Sequence, residues 1–127
     1  MSQLERKNYP QLGHVVGPYV HAVKYQSVLY VSGLTAYGSE AQHHGVAAQA
    51  QEIFDQLNII AAEEKTSMAG LIKVTIFVTD FTHLTALREV LFARYGDHLP
   101  ASSLVQVSQL FSPDLKIEIE ASIALNG

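Results

Sequence analysis

The chain opens with a polar segment that is followed by two short segments rich in β-forming residues. Residues 1–18 are mostly polar and contain turn-forming proline and glycine. Residues 20–25 and 28–34 are rich in valine, tyrosine and leucine and are separated by only two polar residues, which predicts a hairpin. The polar, glycine-containing stretch 35–45 then predicts a loop.

Residues 46–64 carry the helical pattern that is easiest to recognise. Apolar residues recur there at spacings of three and four, and Phe54 lies beside the stripe that they form. The stripe consists of Val46, Ala50, Ile53, Leu57, Ile60 and Ala61. The other side of the helix consists of Gln49, Glu52, Gln56 and Glu63. We expect an amphipathic helix that packs its apolar stripe on a sheet.

The second half of the chain predicts one strand, one helix and two further strands. Ile72, Val74, Ile76 and Val78 alternate with four other residues, so 71–79 reads as a strand that Leu71 opens. Asp80 or Thr82 can cap a helix that ends near Tyr95-Gly96. The buried stripe of this helix is expected to consist of Leu84, Leu87, Val90 and Leu91. Segments 103–110 and 115–125 then read as strands joined around Ser112-Pro113-Asp114.

The order ββαβαββ predicts an α+β fold. Helices that are separated by single strands require crossover connections, so part of the sheet must be parallel and the sheet is mixed. Two amphipathic helices can cover only one face of such a sheet. The other face must then meet something else, and in so short a chain another subunit is the simplest partner. We expect a single domain over residues 1–127.

Composition narrows the classes of function. The chain of 127 residues is 48% hydrophobic, as a folded globular protein should be. Its formal net charge is −4 and its basic residues are scattered, so we do not expect a nucleic-acid partner. It contains no cysteine, which excludes disulfides, thiolate metal sites and a cysteine nucleophile.

No segment of the sequence reads as a targeting or membrane segment. The first seven residues contain no apolar run, so we do not expect a secretory signal. Apolar runs elsewhere are much shorter than the length needed to cross a membrane. We therefore expect a cytoplasmic protein without a membrane partner.

Two glutamates in the last strand are the residues most suggestive of chemistry. Glu118 and Glu120 are two positions apart, so both side chains point to one face, and Lys116 and Ser122 lie alongside. One of these glutamates can line a cleft and hold a water molecule. An ordinary strand with its charged face in solvent explains the same pattern.

The other candidates for chemistry are weaker. Six histidines are present, but none has the spacing of a metal-binding pair, and we predict no metal. They read as scattered surface or loop residues. Ser32-Gly33 can bring a hydroxyl and a bare backbone to a ligand at a strand end, although no Gly-x-Ser-x-Gly motif or phosphate-binding loop occurs. Residue chemistry alone leaves the function open.

A series of short motifs adds a family resemblance. The motifs are Gly17-Pro18-Tyr19, Val31-Ser32-Gly33, Val46-Ala47-Ala48-Gln49-Ala50 with Asn58 after it, Val74-Thr75-Ile76-Phe77-Val78-Thr79-Asp80, Pro100-Ala101 and Lys116-Ile117-Glu118-Ile119-Glu120-Ala121. In this order and at this spacing, the chain from Gly17 to its C-terminus resembles the Rid superfamily of imine/enamine deaminases, also called the YjgF or L-PSP endoribonuclease family.

The resemblance implies both an assembly and an activity. It implies a chorismate-mutase-like homotrimer with a central barrel and a ligand cleft between each pair of subunits. In the family's archetype, water attacks a short-lived imine or enamine, which releases ammonia and a 2-keto acid without any cofactor. By resemblance, Tyr19 and Ser32 line the cleft and Glu118 positions the water.

One motif departs from the family pattern. The family's Pro-Ala-Arg-Ser motif uses its arginine to grip a substrate carboxylate, and this chain reads Pro100-Ala101-Ser102-Ser103 instead. The resemblance makes Ser102 and Ser103 candidate ligand-binding residues. Arg88 and Arg94 are the candidates to replace the missing charge.

Three functions therefore stay open. The first is hydrolytic deamination of a substrate other than a simple 2-imino acid. The second is non-catalytic binding of a small molecule by a regulatory trimer. The third is endoribonuclease activity, which the acidic net charge disfavours.

Overall fold

Six strands form one mixed sheet in the computed structural model, which describes residues 3–126. The strands are β1 (Glu5–Lys7), β2 (Ala22–Tyr25), β3 (Val28–Leu34), β4 (Leu71–Val78), β5 (Ala101–Gln106) and β6 (Ile117–Ala124). Their order across the sheet is β1-β2-β3-β6-β4-β5. Met1, Ser2 and Gly127 lie outside the described residues. Met1 and Ser2 belong to the N-terminal segment in which we expect no secretory signal.

Two helices make the crossover connections of the sheet. Helix α1 (Val46–Glu63) connects β3 to β4, and helix α2 (Leu84–Tyr95) connects β4 to β5. Strands β4 and β5 pair in parallel, and the other neighbouring strands pair antiparallel. The mixed α+β sheet predicted from the sequence is confirmed, and so is the order of elements from the hairpin onward.

The core lies between the two helices and one face of the sheet. Strand β6 runs through the middle of the sheet and alternates strictly, with Ile117, Ile119 and Ile123 fully buried. Phe54 of α1 and Leu87 of α2 pack into the same apolar cluster. Burying one such side chain contributes about 1.5–3 kcal/mol to the free energy of unfolding. This alternation leaves Glu118 and Glu120 on the opposite face, as the pattern predicted.

Some details of the elements differ from the prediction. Strand β1 was missed because its three charged residues show no alternation, and only pairing with β2 makes them a strand. Strand β5 begins at Ala101 and ends at Gln106, earlier than the predicted 103–110. Helix α2 begins after His83 without a side-chain cap, because the Asp80 carboxylate instead accepts a hydrogen bond from the Thr82 amide. Ile72 is exposed, because the register of β4 against β6 shifts between Leu71 and Lys73.

Gln49 was wrongly placed on the polar side of α1. Its side chain is fully buried and joins α1 to two other segments of the chain. The Gln49 amide nitrogen donates to the carbonyls of Gln42, His44 and Asp114, and its oxygen accepts from the Lys116 amide. A buried amide with this many partners fixes the loop before α1 and the turn before β6. Glutamine looks polar in a sequence pattern, so periodicity cannot reveal this role.

The face of the sheet away from the helices is polar in part and apolar in part. Tyr30 of β3 and Val105 of β5 are exposed there, 50% and 40% respectively. The Lys73 ammonium donates a hydrogen bond to the Ser103 hydroxyl, 3.2 Å apart. Within residues 3–126, no helix combines the length and apolar character needed to span a membrane.

Candidate functional site

A cleft of about 520 Å³ lies beside the polar face of β6. Its walls come from residues 12–21, from the end of β3 with the loop that follows, and from the turn that precedes β6. Tyr19, Ser32 and Glu118 all line it. The three residues to which the resemblance assigned a catalytic role therefore meet in one cleft, although they are far apart in sequence.

The carboxylate of Glu118 lies against the backbone of Gly33. The pairing of β3 with β6 shifts register between Val31 and Leu34, so Ser32 and Gly33 form a bulge. A Cβ atom built on Gly33 would lie 2.8 Å from Cδ of Glu118, which is closer than real atoms approach. The close approach therefore requires glycine. The sequence pattern placed Ser32-Gly33 at a strand end but did not predict this bulge.

The Glu118 carboxyl is held in a partly dehydrated position. Burial raises the pKa of this carboxyl, and the neighbouring charge of Glu120 raises it further. Glu120 also lines the cleft but is exposed. A carboxylate whose pKa is raised accepts a proton more readily than an ordinary surface glutamate.

Ser32 anchors the segment that carries Tyr19. The Ser32 hydroxyl donates to the Val20 carbonyl at 2.6 Å, and the Ser32 amide donates to the His21 carbonyl at 2.9 Å. Its hydroxyl proton is therefore already engaged, and the oxygen keeps lone pairs that can accept a hydrogen bond. The Tyr19 ring is 44% exposed at the wall of the cleft.

His21 lies in the bend before β2, as expected of a loop histidine, but it is not a surface residue. It is 7% exposed, stacks on the Tyr9 ring and lines the cleft. Its Nδ1 accepts a hydrogen bond from the Tyr9 amide at 2.9 Å, so that nitrogen carries no proton. Burial lowers the pKa of the imidazole. The neutral ring therefore carries its proton on Nε2, for which the described residues provide no partner.

An aromatic pair stands at the rim of the cleft. The rings of Tyr37 and Phe111 have centroids 5.1 Å apart and are tilted by 59°. Both side chains are about half exposed, and both line the cleft. They come from the loop after β3 and the turn before β6, which are far apart in sequence. No periodicity relates these two residues, so the pair could not be predicted from the sequence.

Three further candidates lie outside the cleft of their own chain. Ser102 and Ser103 are on the edge strand β5, and Arg88 is on the exposed side of α2. None of them is among the residues that line the cleft. Arg94 of α2, the second candidate to replace the missing charge, donates hydrogen bonds to Gln51 and Asp55 of α1. These bonds keep its side chain between the two helices. No group of three metal-ligating side chains occurs within residues 3–126.

Comparison with known proteins identifies relatives over most of the chain. Residues 11–125 match the family model described as endoribonuclease L-PSP. A RutC family protein of Buchnera aphidicola is 30% identical over 109 residues, which cover 84% of this chain and 85% of that protein. The 2-iminobutanoate/2-iminopropanoate deaminase of Escherichia coli is 32% identical over 111 residues, which cover 84% of this chain and 86% of that protein.

A solved structure shows the same fold. The crystal structure of RidA from the Antarctic bacterium Psychrobacter sp. superposes with a TM-score of 0.80 at 29% identity. The superposition covers 88% of this chain and 92% of that one. The family match over residues 11–125 therefore includes the strands and loops that build the cleft.

Proposed function

Since the chain belongs to the endoribonuclease L-PSP family of the Rid superfamily, we propose that its cleft catalyses the hydrolytic deamination of a small imine or enamine. The observation that carries this proposal is the Glu118 carboxylate, held against Gly33 inside the cleft with a raised pKa. The relative in Escherichia coli is named as a deaminase of 2-imino acids.

In the proposed reaction Glu118 orients and deprotonates a water molecule. The water oxygen bonds to the imine carbon while the electron pair of the C=N bond moves to nitrogen. Glu118 then returns its proton to that nitrogen, which gives a carbinolamine. Glu118 next takes the proton of the new hydroxyl group and passes it to the nitrogen, so the C–N bond breaks, ammonia leaves and the carbonyl forms. Each imine consumes one water and yields one carbonyl and one ammonia, so no cofactor is needed.

Other residues of the cleft hold the substrate in this proposal. Tyr19 offers a hydroxyl and an aromatic wall, and the Ser32 oxygen offers an acceptor. We further propose a homotrimer, in which Ser102, Ser103 and Arg88 border the cleft of the neighbouring subunit. Their exposure on β5 and α2 is consistent with that position.

The position of Ser102 makes simple 2-imino acids poor substrates in this proposal. A carboxylate that enters a partly dehydrated cleft needs a cation, and removing one partner of such a pair costs about 2–5 kcal/mol. A serine hydroxyl returns only about 0.5–1.5 kcal/mol. We therefore expect a substrate that does not depend on a carboxylate.

The experiment is to generate 2-aminoacrylate in situ and measure ammonia release with the wild-type protein and with Ser102→Arg. We expect the wild type to stay near the uncatalysed rate and the variant to exceed it. Fast hydrolysis by the wild type would show that another residue, with Arg88 the first to test by Arg88→Ala, binds the carboxylate.

Non-catalytic ligand binding is the second candidate, and the lack of any lysine or arginine among the described residues lining the cleft favours it. A panel of enzymatically generated imines separates the two functions, because a binder releases no ammonia above background from any of them. Endoribonuclease activity, which the family's description names, is disfavoured by the net charge of −4. Salt-dependent RNA binding would revive it.

A further inference from the structure

The described residues that line the cleft carry acidic side chains but no lysine or arginine. Glu118 and Glu120 are its carboxylates, and His14 and His21 are its only imidazoles. His21 is held neutral, because its Nδ1 already accepts the Tyr9 amide proton. His14 is exposed at the wall of the cleft. On the wall of the cleft that this chain supplies, an anionic ligand would therefore face two carboxylates, whereas Arg88 of the neighbouring subunit is proposed only at the border of the cleft.

The rim of the same cleft is aromatic. Tyr37 and Phe111 are about half exposed although they contact each other, and Tyr19 presents a third ring. Aromatic pairs prefer tilted or offset contacts, and a third ring or a bulky apolar group can complete the arrangement. Ring faces also attract cations. The aromatic rim and the acidic interior thus favour the same kind of ligand.

The cleft also presents a hydrogen-bond donor to a ligand. His21 is more than nine-tenths buried and lines the cleft, and its Nε2 has no hydrogen-bond partner among residues 3–126. Among the described residues the buried side-chain polar atom without a partner is the Tyr95 hydroxyl, so Nε2 of His21 is accessible to solvent in the cleft. Nε2–H is therefore available to a hydrogen-bond acceptor on the ligand, such as the carbonyl oxygen that hydrolysis creates.

We infer that the cleft selects ligands whose reacting nitrogen is positively charged and attached to an aromatic or bulky apolar group, and that it disfavours carboxylates. The nitrogen lies towards Glu118 and Glu120, and the apolar group packs against Tyr37 and Phe111. The corresponding substrate is the protonated form of an imine R–CH=NH in which R carries the aromatic group. Such an imine is the two-electron oxidation product of an arylalkyl amine, and its hydrolysis releases ammonia and an aldehyde. This inference rests on the proposed function, because it names the substrate class for the same cleft.

Equilibrium binding of three probes tests the inference without any turnover. The probes are 2-phenylethylamine, which is cationic and aromatic, 3-phenylpropionate, which is anionic and aromatic, and isobutylamine, which is cationic and smaller. Each is titrated into the full-length protein at pH 7 and followed by amide chemical shifts. We expect 2-phenylethylamine to bind about tenfold or more tightly than 3-phenylpropionate, because the two carboxylates attract one probe and repel the other.

Variants test the aromatic rim and the acidic interior of the cleft separately. Phe111→Ala should weaken 2-phenylethylamine about fivefold and isobutylamine less than about twofold, since only the larger probe reaches the rim. Phe111→Leu keeps most of the apolar volume, so its affinity for 2-phenylethylamine should fall less than that of Phe111→Ala. This variant also shows whether the loss in Phe111→Ala comes from misfolding. Phe92→Ala is the matched control, because Phe92 is an exposed phenylalanine on α2 that does not line the cleft. Glu120→Gln should weaken both amines.

Equal binding of the amine and the acid, or preference for the acid, would overturn the inference. An unchanged affinity of a folded Phe111→Ala protein would also overturn it. The outcomes are distinguishable from failure of the proposed function. Amine binding without any imine hydrolysis would support the ligand class and reject the deaminase activity. Fast hydrolysis restricted to carboxylate-bearing imines would support the deaminase activity and reject the ligand class.

Discussion

Glu118 and Gly33 are packed so closely that the glutamate can occupy its position only because residue 33 has no side chain. A Cβ on Gly33 would lie 2.8 Å from Cδ of Glu118 and 3.0 Å from its Cγ. The bulge in β3 brings the backbone towards the carboxylate, and burial there raises the pKa of Glu118. The local backbone of one strand thus sets the chemistry of a side chain on the next.

Gly33→Ala should therefore damage activity more than stability. The new methyl group must displace the Glu118 carboxylate from the site where it holds water. We expect imine hydrolysis to fall by about 100-fold, which is the size of effect that a displacement of about 1 Å can produce. Gly45→Ser is the matched control, since a Cβ there meets no atom within 4 Å. A fully active Gly33→Ala protein would show that the position of Glu118 does not matter.

The pH dependence should reveal the coupling of Glu118 with Glu120. A carboxyl whose pKa is raised loses its proton at higher pH, so activity that needs the carboxylate should rise as pH increases through that pKa. Glu120→Gln removes the neighbouring negative charge, so the rising limb should move to lower pH. Rate profiles between pH 4 and 8 measure this. The imidazoles of His14 and His21 also border the cleft. The His21→Gln variant shows whether His21 contributes to the pH profile. If the rising limb of the Glu120→Gln profile stays at the same pH or moves to higher pH, Glu118 and Glu120 are not coupled in this way.

Gln49 should contribute more to stability than any polar residue on the outer side of α1. Gln49→Leu keeps the volume but leaves the Lys116 amide and the three carbonyls bound by Gln49 without their partner. Losing such buried hydrogen bonds should lower the free energy of unfolding by about 2–4 kcal/mol. Urea denaturation measures the loss, with exposed Glu63→Ala as the control. A difference below about 0.5 kcal/mol between the two variants would refute this role.

The sequence predicted the parts of the fold that follow from periodicity. Strand β6 alternates strictly and α1 repeats at spacings of three and four, so both were placed within two residues of their ends. Strand β1 and the buried Gln49 escaped, because a charged edge strand and a buried amide are defined by their partners in space. Periodicity describes which side of an element faces the core. It does not describe what a polar side chain meets there.

The candidate site was predictable only in part. Pattern placed Glu118 and Glu120 on the polar face, but the resemblance alone distinguished the first from the second. The bulge at Ser32-Gly33 and the rim pair Tyr37–Phe111 arise from contacts between distant segments. No local signal in the chain marks either of them.

The assembly should be measured directly. The helix-free face of the sheet exposes Tyr30 and Val105, and a trimer would cover such apolar groups. Light scattering on a sizing column should give close to three times the chain mass of 13.9 kDa. A monomer at micromolar concentration would reject the trimer and the proposal that Ser102, Ser103 and Arg88 border a neighbouring cleft.

Ammonia release by wild type and Glu118→Gln tests the central claim most directly. Both proteins are supplied with imines generated in situ from a series of arylalkyl and aliphatic amines, and sizing chromatography confirms that both have the same assembly. The amide cannot accept a proton, so we expect Glu118→Gln to lose about 100-fold or more of the wild-type rate on any imine that the wild type hydrolyses. A Glu118→Gln protein that releases ammonia as fast as the wild type would contradict the account.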